Sequence, residues 1–265
     1  MAAEAEGTPC WADATFSDLD GAKRFYGEVL GWTYGDSLPE FGNYTQAYVD
    51  GKAVAALMPP VPGQDVPAAW CLYLASPDAA ATAAKVRENG GTVLVEPMRV
   101  GEFGTMVLAS DPGGAAFGVW QAGTHEGFEA RGVPGAFSWA EIFTREPEKA
   151  DAFFPAVFGY GVKRMDDDAV DFRLYDLGAD PVMGRMKMTE DFPPEVPPYL
   201  NVYFTVADCD AAVEKAKALG AQLRFGPMTM PFGRFAALTD PQGAAFSLID
   251  GTTTEGEKPQ LTDVS

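Results

Sequence analysis

Histidine is nearly absent. The 265 residues contain one, His125. A Ser-His-Asp triad or a two-histidine metal site would have to run through it. It sits in Gly123-Thr-His-Glu-Gly-Phe128, between strand-like stretches, where a solvated loop histidine is expected. Cationic residues are also scarce: Lys plus Arg is 19 against 38 Asp plus Glu, for a net charge of −19. Such a surface repels phosphate backbones and anionic lipid headgroups, so nucleic acid and membrane surfaces are excluded as first partners. The same charge favours a cationic small molecule. No apolar run approaches the roughly 20 residues of a membrane span. Met1 to Pro9 lacks the basic-then-apolar order of a secretory signal, which makes a cytoplasmic location the expectation. The three cysteines, Cys10, Cys71 and Cys209, are widely spaced and form neither a disulfide framework nor a zinc motif. No glycine-rich phosphate loop is present, so a nucleotide cofactor is unsupported.

What is present is a repeat. Trp11-Ala-Asp-Ala-Thr-Phe16, Asp20-Gly-Ala-Lys-Arg-Phe-Tyr26 and Val29-Leu-Gly-Trp32 return as Trp139-Ala-Glu-Ile-Phe-Thr144, Glu148-Lys-Ala-Asp-Ala-Phe-Phe154 and Val157-Phe-Gly-Tyr160. Asp111-Pro-Gly-Gly-Ala-Ala-Phe117 returns as Asp240-Pro-Gln-Gly-Ala-Ala-Phe246. A nearly constant offset of this kind marks two copies of one unit. The expected boundaries are residues 1–124 for the first copy, 125–133 for a linker, 134–252 for the second copy and 253–265 for a flexible acidic tail.

Each copy divides again. In the first, a short alternating strand from Trp11 precedes a helix over 20–30, with Ala22, Phe25, Tyr26, Val29 and Leu30 on one face and Gly31 as its stop. Strands 44–49 and 53–58 follow around an Asp50-Gly51 turn. After a proline-rich connector the pattern restarts: strand 70–75, helix 78–88, and strands 92–96, 105–109 and 115–120. The second copy repeats the order. The fold expected is α+β, four β-α-β-β-β units in two tandem domains.

The Phe25-Tyr26 and Leu30-Gly31-Trp32 helix ending, the Asn89-Gly-Gly91 stop and the Asp111-Pro-x-Gly114 turn, recurring in order in both halves, resemble the vicinal oxygen chelate superfamily of glyoxalase, bleomycin-resistance and extradiol-dioxygenase proteins. The resemblance covers about residues 9 to 250. The Pro9-Cys-Trp-Ala-Asp13 opening and tandem layout are similar to two-domain actinobacterial proteins labelled glyoxalase-like or hydroxylase. The resemblance implies sheets curled into open cups, or half-barrels, whose walls carry the functional groups. In metal-using members those walls carry His, Gln or Glu. The matching positions here are Trp11, Trp70 and Gly118, then Trp139, Asn201 and Ser247; only Asn201 could coordinate, and weakly. No metal and no cofactor is therefore expected.

Strand alternation puts Asp13 beside Trp11 and Glu141 beside Trp139 on one face. A carboxyl among aromatics has a raised pKa, so Asp13 and Glu141 are the candidate acid/base groups. A cap or ion pair is their structural alternative. Trp11, Trp70, Trp139, Tyr48, Tyr175 and Asn201 are the candidate ligand-binding wall. Phe103 and Phe232 stand in equivalent Gly-bearing loops that suggest flaps over the mouth. Gly118 and Ser247 would leave room at the floor. These features point to a metal-independent binder of a small apolar or aromatic molecule, an antibiotic or secondary metabolite. A cofactor-free isomerase, cyclase or hydrolase using Asp13 or Glu141, a metal-dependent lyase or dioxygenase, and a homodimeric scaffold are the alternatives.

Overall fold

The computed structural model describes residues 4–63, 66–166, 170–178 and 180–264. The first copy runs β1 (Pro9–Thr15), α1 (Leu19–Leu30), β2 (Thr33–Tyr34), β3 (Thr45–Val49), β4 (Lys52–Met58), β5 (Ala69–Ala75), α2 (Ala79–Glu88), β6 (Thr92–Val100), β7 (Gly104–Ser110) and β8 (Ala116–Ala122). The second runs β9 (Phe137–Thr144), α3 (Pro147–Phe158), β10 (Gly161–Met165), β11 (Phe172–Leu177), β12 (Asp180–Lys187), β13 (Tyr199–Thr205), α4 (Cys209–Ala218), β14 (Gln222–Met230), β15 (Gly233–Thr239) and β16 (Ala245–Asp250), followed by β17 (Leu261–Asp263). Four β-α-β-β-β units are present, as the repeat requires.

Each sheet draws strands from one copy only, in the orders β2-β3-β4-β1-β5-β8-β7-β6 and β14-β15-β16-β13-β9-β12-β11-β10-β17. Each cup is therefore built within a copy. Units join side by side through antiparallel β1–β5 and β9–β13 pairs, and each sheet stays open. Helix starts follow local chemistry: the Asp78 and Asp208 side chains accept from backbone N–H groups of the first turn. Gly31 ends α1 in the left-handed conformation at φ 74°.

The helix-bearing faces of the two sheets meet in one continuous core containing Phe25, Tyr26, Trp32, Trp70, Phe117, Phe154, Phe204 and Phe246. α1 packs on α4 and α2 on α3. The Asp-Pro-x-Gly turns belong to this junction: Tyr26 donates to Asp240 across the copies at 2.9 Å. Gly135 lies so close to the Leu30 carbonyl that a Cβ there would approach to 2.5 Å, and its own carbonyl accepts the Trp32 indole N–H at 2.6 Å.

Two expectations change. β6 and β14 continue past Pro97 and Pro227, where the alternating pattern stops, because both are sheet-edge strands with irregular register around the proline. Residues 253–265 are expected as a flexible tail, yet Leu261–Asp263 pair with β10. The Glu255 N–H donates to the Met230 carbonyl, and the Gln260 carbonyl accepts from the Asp166 N–H. The six residues from Glu255 to Gln260 reach at most about 22 Å. The β14–β15 hairpin and β10, near opposite ends of the second sheet, are thus brought within that distance. Among the described residues no helix is long and apolar enough to cross a membrane.

Candidate functional site

In the first cup the β1 register places Asp13 opposite Cys71 of β5 and Ala56 of β4, with Trp11 opposite Tyr73. Trp11, Asp13 and Tyr73 are 3%, 4% and 4% exposed. The Trp11 indole N–H donates to the Tyr44 hydroxyl at 2.6 Å, and that hydroxyl donates to Asp13 Oδ2 at 3.2 Å. Burial pushes the Asp13 carboxyl up to about 7, and hydrogen bonds from Tyr73 and Tyr44 only partly offset it. Burial also holds the Cys71 thiol well above its ordinary value, next to Asp13, so it stays protonated.

His125 is not the solvated loop residue expected. Its ring meets Trp11 edge-on at 4.4 Å and Trp120 at 5.8 Å, and its buried Nε2 has no hydrogen-bond partner among the described residues. Burial lowers its pKa, with Glu129 opposing. The linker is held there by Phe128 N–H to the Cys10 carbonyl and Trp120 indole N–H to the His125 carbonyl. Phe41 and Phe103, from loops near opposite edges of the first sheet, touch at 5.4 Å.

The second cup repeats the centre with a different surround. Glu141 pairs with Asn201 of β13 and Gly184 of β12. Tyr203 donates to Glu141 Oε2 at 2.7 Å and Trp139 to Oε1 at 3.3 Å. Burial raises the Glu141 pKa against those two hydrogen bonds. Asn201 donates to Ser247 at 2.8 Å. Trp139, Glu141 and Phe143 are all half-buried, unlike Trp11 and Asp13. Phe143 stacks on Tyr199 at 5.0 Å and lies 5.7 Å from Phe192. On the other flank Tyr203, Phe235 and Phe225 form a ring series.

Several expected wall residues lie elsewhere. Trp70 faces the shared core, where its N–H donates to Tyr26, because on β5 it is Cys71 and Tyr73 that share the face of Asp13 and Trp11. Tyr175 is likewise a core residue, fully buried against Phe154 and Tyr160 and donating to Asp151. Tyr48 packs at the first cup and donates to Gln46. Phe103 packs against the first cup, whereas Phe232 is exposed beneath Lys258. The room expected at Gly118 is taken by the Tyr73 ring, which a Cβ there would meet at 2.2 Å. Tyr44, Phe143, Tyr199, Phe235 and His125 were not legible as site residues. For Phe143 and Tyr199 the signal was present, since each stands two residues from Glu141 or Asn201 on the same strand face.

The cup donors do not fit a divalent metal. Each centre offers one carboxyl that already accepts hydrogen bonds, Asp13 from tyrosine hydroxyls and Glu141 from Tyr203 and Trp139, beside Cys71 and Gly118 in one cup and an Asn201–Ser247 pair in the other. Among the described residues no group of three or more His, Cys, Asp or Glu is placed to hold an ion.

A stability test follows for Asp13. Its folded pKa stands above the unfolded value, so the neutral carboxyl contributes stability fully below about pH 4, and this is lost as pH rises through about 7. Asp13→Asn is therefore expected to gain stability over native at pH 8 and to gain little at pH 4.5, measured by urea midpoints. A gap that does not widen with pH would mean the carboxyl is not held neutral.

The family described as the Glyoxalase/Bleomycin resistance protein/Dioxygenase superfamily matches residues 11–119 and 136–248. The glyoxylase-named CFP32 of Mycobacterium bovis is 40% identical over 250 residues, covering 92% of this chain and 95% of that protein. The anthracycline biosynthesis protein DnrV of Streptomyces peucetius is 37% identical over 260 residues, covering 93% and 94%. The crystal structure of the Mn(II)-bound glyoxalase from Novosphingobium aromaticivorans superposes with a TM-score of 0.64 at 20% identity, over 96% of this chain and 87% of that one. The 2,3-dioxygenase LapB from Pseudomonas sp. KL28 gives 0.65 at 13%, over 97% and 95%. At these identities the two structures speak for the fold.

Proposed function

This chain belongs to the Glyoxalase/Bleomycin resistance protein/Dioxygenase superfamily, and from that premise we propose that it is a metal-independent member that holds a small apolar or aromatic molecule of secondary metabolism in its cup. The observation that carries this reading is the aromatic wall around one carboxyl, with no cluster of metal-ligating side chains beside it among the described residues. Aromatic faces accommodate flat molecules by offset stacking, and a few placed polar groups orient them. The relative named for anthracycline biosynthesis supports a fused-ring aromatic as the kind of molecule held.

Titration with hydroxyanthraquinones and other flat metabolites is expected to give saturable quenching of tryptophan fluorescence that survives excess EDTA. No saturable response across the panel overturns the reading. So does binding that EDTA abolishes and a divalent ion restores.

One observation favours a second reading, a cofactor-free enzyme. Burial raises both cup carboxyls, Asp13 to about 7 and Glu141 above its ordinary value, which suits a group that holds and passes a proton. Of the two, Glu141 is the half-buried one and Asp13 is enclosed. Under this reading Glu141→Gln ends turnover of a bound metabolite and leaves its binding intact. Unchanged turnover removes Glu141 from the chemistry.

A further inference from the structure

The two cups share a centre and differ in what surrounds it. In the first, the indole N–H of Trp11 goes to Tyr44, the ring of His125 lies on Trp11, and Phe41 meets Phe103 across the mouth. These side chains cover Trp11 and Asp13, which are 3% and 4% exposed. In the second, the indole N–H of Trp139 turns to Glu141 itself at 3.3 Å, a long contact, and the tryptophan stays half-buried. Whereas the linker brings His125 onto Trp11, among the described residues the chain that follows β16 brings no ring onto Trp139. It turns back on Asp250, whose carboxylate accepts from Thr252 and Thr253, then crosses to β10. The half-buried rings of Trp139, Phe143, Tyr199 and Phe235 are left around Glu141. A half-buried tryptophan beside a carboxylic acid offers a stacking face and a hydrogen-bond donor at once.

Resting on the binding function proposed above, we infer that the second cup alone takes the ligand, a planar aromatic molecule whose carbonyl or phenol oxygen accepts a hydrogen bond from the Glu141 carboxyl, while His125 fills the first cup. Two consequences separate this from binding in either cup. Affinity depends on Trp139. It also falls as pH rises through the titration of Glu141, because the ionised group no longer donates and repels the acceptor oxygen.

The test uses 1,4-dihydroxyanthraquinone as probe, with affinity and stoichiometry measured from pH 5 to 9 on the full chain. One equivalent is expected to bind per chain. Trp139→Ala is expected to weaken binding at least tenfold. Glu141→Gln keeps a donor, so it is expected to hold the low-pH affinity within about twofold and to flatten the pH dependence. His125→Ala is expected to leave the second-cup site and its affinity unchanged, and loss of binding in that variant would place the ligand in the first cup and overturn the assignment. Two equivalents on the native chain, full affinity in Trp139→Ala, or an unaltered pH profile in Glu141→Gln overturns the assignment and leaves the binding function standing. No saturable binding of this or any flat probe overturns both.

Discussion

An alanine at Tyr26 is expected to remove about 3 to 5 kcal/mol of folding stability. Tyr26 is fully buried, stacks on Trp32 at 5.4 Å, and meets Phe25, Trp70 and Phe246 edge-on. Truncation opens a cavity between rings that belong to both copies. It also strands two polar partners, because the Tyr26 hydroxyl accepts from the Trp70 N–H and donates to Asp240, each at 2.9 Å. Tyr26→Phe keeps the ring and loses only the hydroxyl, for about 1 to 3 kcal/mol. Because the copies share one core, both variants are expected to unfold in a single earlier transition, followed in urea by tryptophan fluorescence and far-UV circular dichroism. Two separated transitions, one at the native midpoint, would show that the copies hold independently.

Arg185→Leu is expected to cost about 3 to 5 kcal/mol, towards the lower end. Arg185 is 0% exposed on the core face of β12. It makes a fork to Asp151 at 3.0 and 2.6 Å and a bond to Asp171 at 2.7 Å. Tyr175 completes the network by donating to Asp151 at 2.8 Å. Removing the cation leaves two carboxylates without their main partner, though both are exposed enough to recover some hydration. Lysine carries the charge but not the planar fork, so Arg185→Lys is expected to recover less than half of the loss. Chemical denaturation of the three proteins side by side decides it. A leucine variant as stable as native would mean that the network adds nothing beyond packing.

The same network shows where strand reading from sequence fails. Arg185 and Tyr175 stand on one face of their strands, Gly184 and Leu174 on the other. Alternation states that neighbours point opposite ways, yet not which way is the cup. In β1 the ambiguity resolves, because Asp13 with Trp11 contrasts with Ala12 and Ala14. In β5 both faces are apolar or aromatic: Trp70, Leu72 and Leu74 on one, Cys71 and Tyr73 on the other. A sheet covered on both sides leaves no polar stripe to mark its wet face. Pairing with Asp13 decided the matter and sent Trp70 to the core. β2 and β10 leave little trace in the sequence for a simpler reason, being a two-residue strand and a five-residue strand interrupted by Lys163 and Arg164.

The amino-acid order by itself determined the repeat, the four β-α-β-β-β units, the family, and the pairing of a carboxyl with a tryptophan in each copy, because all of these are periodicities or short local patterns. Only the tertiary structure decided that each cup lies within a copy, that the two copies share a core, and that His125 packs on Trp11 while Trp139 stays half-buried. Those outcomes depend on where a linker folds back and which strand lies beside which, contacts between residues far apart in the chain. His125 shows the limit most plainly. Its neighbours in sequence are glycine, threonine and glutamate, and its neighbours in space are Trp11 and Trp120.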